Sequence, residues 1–197
     1  MAGTHNKMST WLNRKSFNEK DEYYTPKILV EPIIPFIKKG STVWCPFDTA
    51  NSEFVLCLEE KGFKVIHSHI WDGKDFFEYE PEGDYDYIIS NPPFTRKLEV
   101  FDRLYKLGKP FAMVCGIPIL NYQEVDDFFM DKDLQLLIVD KKVSFDGNQA
   151  SFNNSYFCYK MLPKDLMFVS IANNNAGKNF VPSRMYDDIE SDKTELF

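Results

Sequence analysis

The sequence predicts an α/β protein with a mostly parallel sheet and one antiparallel strand near the C-terminus. Three observations predict it. Short apolar runs alternate with helical periodicities along most of the 197 residues, the pattern of strands connected through crossover helices. The last two apolar runs, Leu134–Asp140 and Ser155–Met161, are joined by a loop without a helix, and such a pair is most simply antiparallel. Hydrophobic residues make up 44% of the chain and aromatics 16%, against 27% charged, which is enough apolar area to bury one core. A chain of this length suits a single domain.

Taken in order, residues 1–22 are polar, with Lys7, Arg14, Lys15 and Lys20 against Glu19, Asp21 and Glu22. They read as an N-terminal arm, either loose or ordered by a partner. Pro26 suits a helix start, whereas Pro32 and Pro35 break or kink any helix that continues through 26–37. Ser41–Phe47 reads as a buried strand, and Asn51 or Ser52 caps a helix that runs to about Lys61 and stops at Gly62. Lys64–His69 is the second strand and Tyr85–Ser90 the third. Lys97–Leu107 is a helix because Leu98, Phe101, Leu104 and Tyr105 recur at helical spacing, with Gly108 as its stop. Phe111–Ile117 is a buried strand, and Tyr122–Met130 a short acidic helix. The domain is expected to span 23–171, followed by a polar, acidic tail over 172–197 that holds Asp187, Asp188, Glu190, Asp192 and Glu195 against Arg184 and Lys193.

Thirty acids against 23 bases give a net charge of −7, which argues against a surface that grips nucleic acid on all sides and leaves room for a local basic face. Cys45, Cys57, Cys115 and Cys158 form no C-x-x-C pair and lie in or beside apolar runs, so they read as reduced core residues, with no metal site expected. The N-terminus lacks the apolar centre of a signal peptide, and no apolar run reaches the roughly 18 residues that span a bilayer. A soluble, cytoplasmic protein without a membrane partner is expected.

The chemistry sits directly after the third strand, at Asn91-Pro92-Pro93-Phe94. Two prolines donate no ladder hydrogen bonds, so the strand ends there in a stiff turn. Ligands of open α/β sheets bind outside the carboxyl ends of the strands. The turn offers them one carboxamide, outward backbone carbonyls and an aromatic ring. A carboxamide oxygen and a carbonyl together accept both hydrogens of a planar amino group, and Phe94 can lie against an aromatic base.

NPPF after such a strand resembles the catalytic motif of amino-directed, S-adenosylmethionine-dependent methyltransferases. With YYTP at 23–26, WCPFD at 44–48, DFF at 75–77 and FNNSYFC at 152–158, the chain is similar over about residues 20–170 to phage-type adenine-specific (N6) DNA methyltransferases related to the EcoRI methylase. The resemblance implies a Rossmann-like, class I methyltransferase sheet of seven strands, acting in a bacterial or phage-infected cell. It implies that Asn91 and the Pro92 carbonyl hold the adenine amine, Pro93 stiffens the turn, and Phe94 stacks on a flipped base. Phe145 or Phe152 would close the base's other side. For the cofactor, S-adenosylmethionine, it implies contacts from Tyr24, Thr25, Pro26, Cys45, Pro46, Phe47, Asp48, Asp75 and Phe76. DNA is the implied partner, with target choice supplied by a homodimer, a recognition partner or the N-terminal arm.

Three features differ from the family pattern. The turn Asp48-Thr49-Ala50-Asn51-Ser52 has no glycine, the strand ending in His67-Ser68-His69 has no carboxylate for ribose hydroxyls, and no target-recognition domain is evident. His67, Ser68, His69 or Asp72 would have to replace that carboxylate. Arg96, Lys97, Arg103, Lys106, Lys109, Lys141 and Lys142 form either a basic rim or an ordinary solvated surface. The alternative from another class is a non-catalytic protein that keeps the fold and binds a host defence or nucleic-acid-processing complex, with its acidic surface imitating nucleic acid. RNA bases and protein glutamine are lesser alternatives as methyl acceptors.

Overall fold

The computed structural model describes residues 25–93, 95–140, 143 and 153–171. The expected arm over 1–22 and tail over 172–197 lie outside the described residues.

Among the described residues there are seven strands, β1 (Thr42–Cys45), β2 (Lys64–His67), β3 (Tyr87–Ser90), β4 (Phe111–Gly116), β5 (Gln135–Val139), β6 (Asn154–Tyr159) and β7 (Leu166–Val169). They form one sheet in the order β2-β1-β3-β4-β6-β5-β7. β6 pairs antiparallel with both β4 and β5, and every other pairing is parallel. The expected mostly parallel, Rossmann-like sheet with one reversed strand is therefore present, with the reversed strand inside the sheet. β7 is the element the sequence reading lacked. Its four residues are all apolar, so the inward and outward alternation of their side chains leaves no mark in the sequence.

The helices are α1 (Lys27–Val30), α2 (Glu53–Glu60), α3 (Lys97–Leu107) and α4 (Gln123–Phe129). Pro26 precedes α1 in extended geometry, and the chain tightens into a 3-10 helix over Glu31–Phe36, where Pro32 and Pro35 remove the donors an α-helix needs. Gly108 closes α3 at φ +68°, a left-handed geometry that glycine adopts without a Cβ penalty.

Alternation along the strands sorts the core into two layers. Val43, Cys45, Ile89, Val114, Tyr156 and Leu137 face α1, the following 3-10 helix and α2 through Leu29, Val30, Ile33, Phe54 and Leu58. Trp44, Ile88, Met113, Cys115 and Phe157 face α3 and α4 through Val100, Phe101, Leu104, Val125 and Phe129. The second layer is mainly aromatic, with Phe101 edge-on to Phe129 at 5.2 Å and tilted to Phe157 at 5.9 Å between ring centroids. All four cysteines are buried in these layers. The exits of β1, β2, β3 and β4 lie along one sheet edge, because these strands are mutually parallel. Among the described residues no helix is long and apolar enough to cross a membrane.

Candidate functional site

The carboxyl ends of β1 and β3 are tied together by side chains. Ser90, the last residue of β3, donates its hydroxyl to the Asp48 carboxylate, and both residues are buried. Asp48 is carried to that point by the chain leaving β1. Its N–H donates to the Ser68 carbonyl at 3.2 Å, and the Ser68 N–H donates to the Cys45 carbonyl at 3.1 Å, extending the β1–β2 pairing beyond the regular strands. The Ser68 hydroxyl accepts from Trp44 Nε1 at 3.0 Å. Ser68 therefore acts within the core and not as an exposed polar group at the strand end.

Asn91 follows Ser90 at once. It is half-buried, Pro92 is buried and Pro93 is half-buried. The Asn91 carboxamide has no hydrogen-bond partner among the described residues. One oxygen acceptor and two N–H donors thus stand at the strand exit, ready for a ligand. Phe94 lies outside the described residues, as do Tyr24, Phe145 and Phe152.

The glycine-free turn after β1 is closed on itself. Thr49 N–H donates to Ser52 Oγ at 3.0 Å, and Ser52 N–H donates to the Thr49 carbonyl at 3.0 Å. Two amides that a glycine-rich loop would present to a ligand are thereby engaged. Thr25 is buried and Pro26 half-buried at the entry to α1. Pro46 is buried, and Phe47 packs on Phe76 with centroids 4.8 Å apart. Cys45 is fully buried, and burial holds its thiol well above the ordinary range, so its side chain is a neutral core group.

The segment after β2 returns toward the same edge. Asp75 Oδ1 accepts from Phe77 N–H at 3.0 Å, and the Asp75 carbonyl accepts from Glu78 at 3.0 Å and Tyr79 at 2.7 Å, which folds 75–79 into a tight turn. The turn leaves Asp75 half-buried and drives Phe76 inward to 2% exposure, against Trp44 and Phe47. Phe76 is thus the floor under this edge, and Asp75 is the group at its surface. Between β2 and this turn, a 3-10 helix over Ile70–Asp72 exposes Ile70 and Trp71. His69 Nδ1 accepts from the Trp71 N–H at 3.2 Å. His67 Nδ1 is buried without a hydrogen-bond partner among the described residues.

Arg96 joins the two loops. Its guanidinium lies 3.8 Å from the Phe77 ring centroid, and Nη2 pairs with Glu99 at 2.6 Å. The backbone there is left-handed, at φ +60°, an unusual setting for a residue with a Cβ. Arg103 holds the same turn from α3, donating from Nη1 to the Phe77 carbonyl at 3.0 Å and from Nη2 to the Tyr79 carbonyl at 3.1 Å. Of the residues read as either a basic rim or a solvated surface, most of those described have partners within the chain, and Lys106 is at the surface. Lys97 is buried, Lys106 pairs with Asp102 at 2.6 Å and Lys109 lies over Tyr85; Lys141 and Lys142 lie outside the described residues. Sequence reading missed Ser90 and Trp71. A polar residue closing an apolar strand, and a tryptophan in a polar loop, were the signals available.

No protein-family profile matches the chain, and no curated protein matches it. Among solved structures it is similar to the methyltransferase subunit of a type I restriction-modification system from Streptococcus thermophilus, at 12% identity with a TM-score of 0.46. The match covers 87% of this chain and 53% of that one, so the chain corresponds to about half the length of that subunit.

Proposed function

We propose that the protein transfers a methyl group from S-adenosylmethionine to the exocyclic N6 amine of adenine in DNA, directly and in line, on a base flipped out of its helix. The observation that carries this reading is the Ser90–Asp48 bond beside an Asn91 carboxamide that has no partner among the described residues: the exit of β3 and the exit of β1 are held as one unit. A reaction between two bound molecules that relies on positioning calls for that kind of tie.

The donor set fits a nucleoside that carries positive charge. Asp72 and Asp75 are carboxylates at the edge, and Trp71 and Ile70 add exposed apolar surface for a planar base. Thr25, Pro26, Pro46, Phe47, Asp48 and Asp75 would hold it, with Tyr24 beside them in sequence, Cys45 contributing backbone and Phe76 the floor. S-adenosylmethionine, when bound, supplies an electrophilic methyl group. The Asn91 carboxamide oxygen and the Pro92 carbonyl accept the two amine hydrogens and draw the nitrogen lone pair out of conjugation. Pro93 keeps the turn stiff, and Phe94, with Phe145 or Phe152, would sandwich the base. The domain over 23–171 would carry this activity in the cytoplasm of a bacterial or phage-infected cell, with the arm over 1–22 and the tail over 172–197 outside it.

Calorimetric titration with S-adenosylmethionine and its demethylated product is the test. Saturable binding near one per chain, in the micromolar range of about −8 kcal/mol, is expected. Absence of binding both with and without adenine-containing DNA would overturn the reading. A second reading, a non-catalytic binder of a defence or nucleic-acid-processing complex, is favoured by the engaged amides of the 49–52 turn and by Arg96, Arg103 and Lys106 having partners within the chain. Under it, Asn91→Ala leaves partner binding unchanged.

A further inference from the structure

At the far end of the sheet, β7 pairs with β5 alone among the described strands. The ladder fixes which backbone groups face outward. Leu136 N–H donates to the Asp165 carbonyl at 2.7 Å and Asp140 N–H to the Val169 carbonyl at 3.1 Å. Odd-numbered residues therefore turn their backbone groups toward β5, and Leu166 and Phe168 turn theirs away. The side chains alternate as well. Met167 and Val169 pack into the α1–α2 layer, whereas Leu166 is 53% exposed and Phe168 70% exposed on the opposite face, beside Leu136 and Ile138. Natural edge strands are commonly blunted by a lysine, proline or bulge within the strand. β7 is short, and Pro163 and Lys164 lie just before it, but its own four residues carry no charge, proline or bulge.

We infer that β7 is a self-association edge, pairing antiparallel with β7 of a second copy about a two-fold axis at Met167. In an antiparallel pair, directly opposed residues point to the same face, so a symmetric register must set a residue opposite its own copy. Centring on Met167 places Leu166 of one copy opposite Phe168 of the other, twice. These pairs carry the outward N–H and C=O groups, so each exchanges two hydrogen bonds. Their side chains cover each other on the exposed face. The same register sets exposed Lys164 opposite Ser170, whose hydroxyl donates to the Asp140 carboxylate. Each lysine thus meets an acidic group of the other copy. Centring on Phe168 instead would oppose Leu166 to Ser170 and lose both complementarities. Beyond β7 the register sets Asp165 opposite Val169, so the match is confined to the strand and its lysine: the doubled Leu166–Phe168 contact and the Lys164 contact with the Ser170–Asp140 pair are why a second copy of this chain is the occupant.

Sedimentation equilibrium of the full chain across roughly 1–100 µM tests this. A dimer is expected. Phe168→Glu, on an exposed side chain, is expected to weaken it at least about tenfold, the equivalent of roughly 1.4 kcal/mol, with an unchanged circular dichroism spectrum. Register is read by cross-linking. Met167→Cys sits in a non-hydrogen-bonded pair with Cα atoms about 4.5 Å apart, inside disulfide range, and should give a covalent dimer on oxidation. Leu166→Cys should not, and the four native thiols are buried. A monomeric wild type throughout the range, a dimer indifferent to Phe168→Glu, or cross-linking at Leu166→Cys in preference to Met167→Cys would each overturn the inference.

Discussion

Asn91 stands at the β3 exit with its carboxamide unpartnered among the described residues, so its removal disturbs little of the fold. Asn91→Ala is expected to change stability by no more than about 0.5 kcal/mol while lowering methyl-transfer kcat by about 10²–10³. Paired measurements of thermal midpoint and turnover check both halves. Its neighbour is the opposite case. Ser90→Ala strips a donor from the buried Asp48 carboxylate. Hydrogen bonds to charged groups contribute about 1.5–3 kcal/mol, and a fall of that size in urea-unfolding stability is expected. Catalysis should also suffer, because the two loops lose their shared anchor. NPPF was readable in the sequence because two prolines after an apolar strand form a local, contiguous signal. The Ser90–Asp48 bond was not, since its partners lie 42 residues apart. Trp71 looked like a loop residue, and its contact with His69 in a 3-10 turn after β2 comes from the folded chain and not from local periodicity.

At the scale of elements, α3 ties the edge together. Arg103 reaches from its second turn to two carbonyls of the 75–79 segment, and its planar fork suits two acceptors at once. Arg103→Ala should speed hydrogen exchange at Phe77 and Tyr79, whose N–H groups donate to Asp75. Arg103→Lys should restore little of that protection, because one ammonium does not span both carbonyls. Exchange rates unchanged in Arg103→Ala would show that the turn stands without the arginine. The sequence located α3 residue for residue because apolar spacing and a terminal glycine agree on its limits. Strands were read one to three residues too long. The reading placed Pro46 inside the first strand, although proline donates nothing to a ladder. It ran the last strand to Met161, although Lys160, at φ +51°, ends β6. β7 escaped altogether because half its apolar side chains face outward.

Across the whole molecule, the core holds acidic hydrogens that water would otherwise release. Burial raises the thiols of Cys45, Cys57, Cys115 and Cys158, with Cys57 pushed up to about 12, and the phenols of Tyr85, Tyr105 and Tyr156. The folded state thus keeps protons that the unfolded chain loses above about pH 8.5 for thiols and about pH 10 for phenols. Stability is full below that window and falls as pH rises through it, by at most about 1.4 kcal/mol per pH unit for each group. Urea midpoints at neutral pH, pH 9 and pH 10.5 should therefore decline progressively, and a flat profile would contradict the burial of these groups. The class of the sheet and its reversed strand were legible from connection lengths. The position of β6 between β4 and β5 was not, because long-range pairing leaves no mark in local periodicity. That placement bears on biosynthesis. β4 is complete once Gly116 has been made, yet the strand that covers its free side ends at Tyr159. At about 5–20 residues per second, a ribosome leaves an almost wholly apolar edge open for several seconds of every synthesis. Nascent chains stalled within that interval are expected to be the species that chaperones retain.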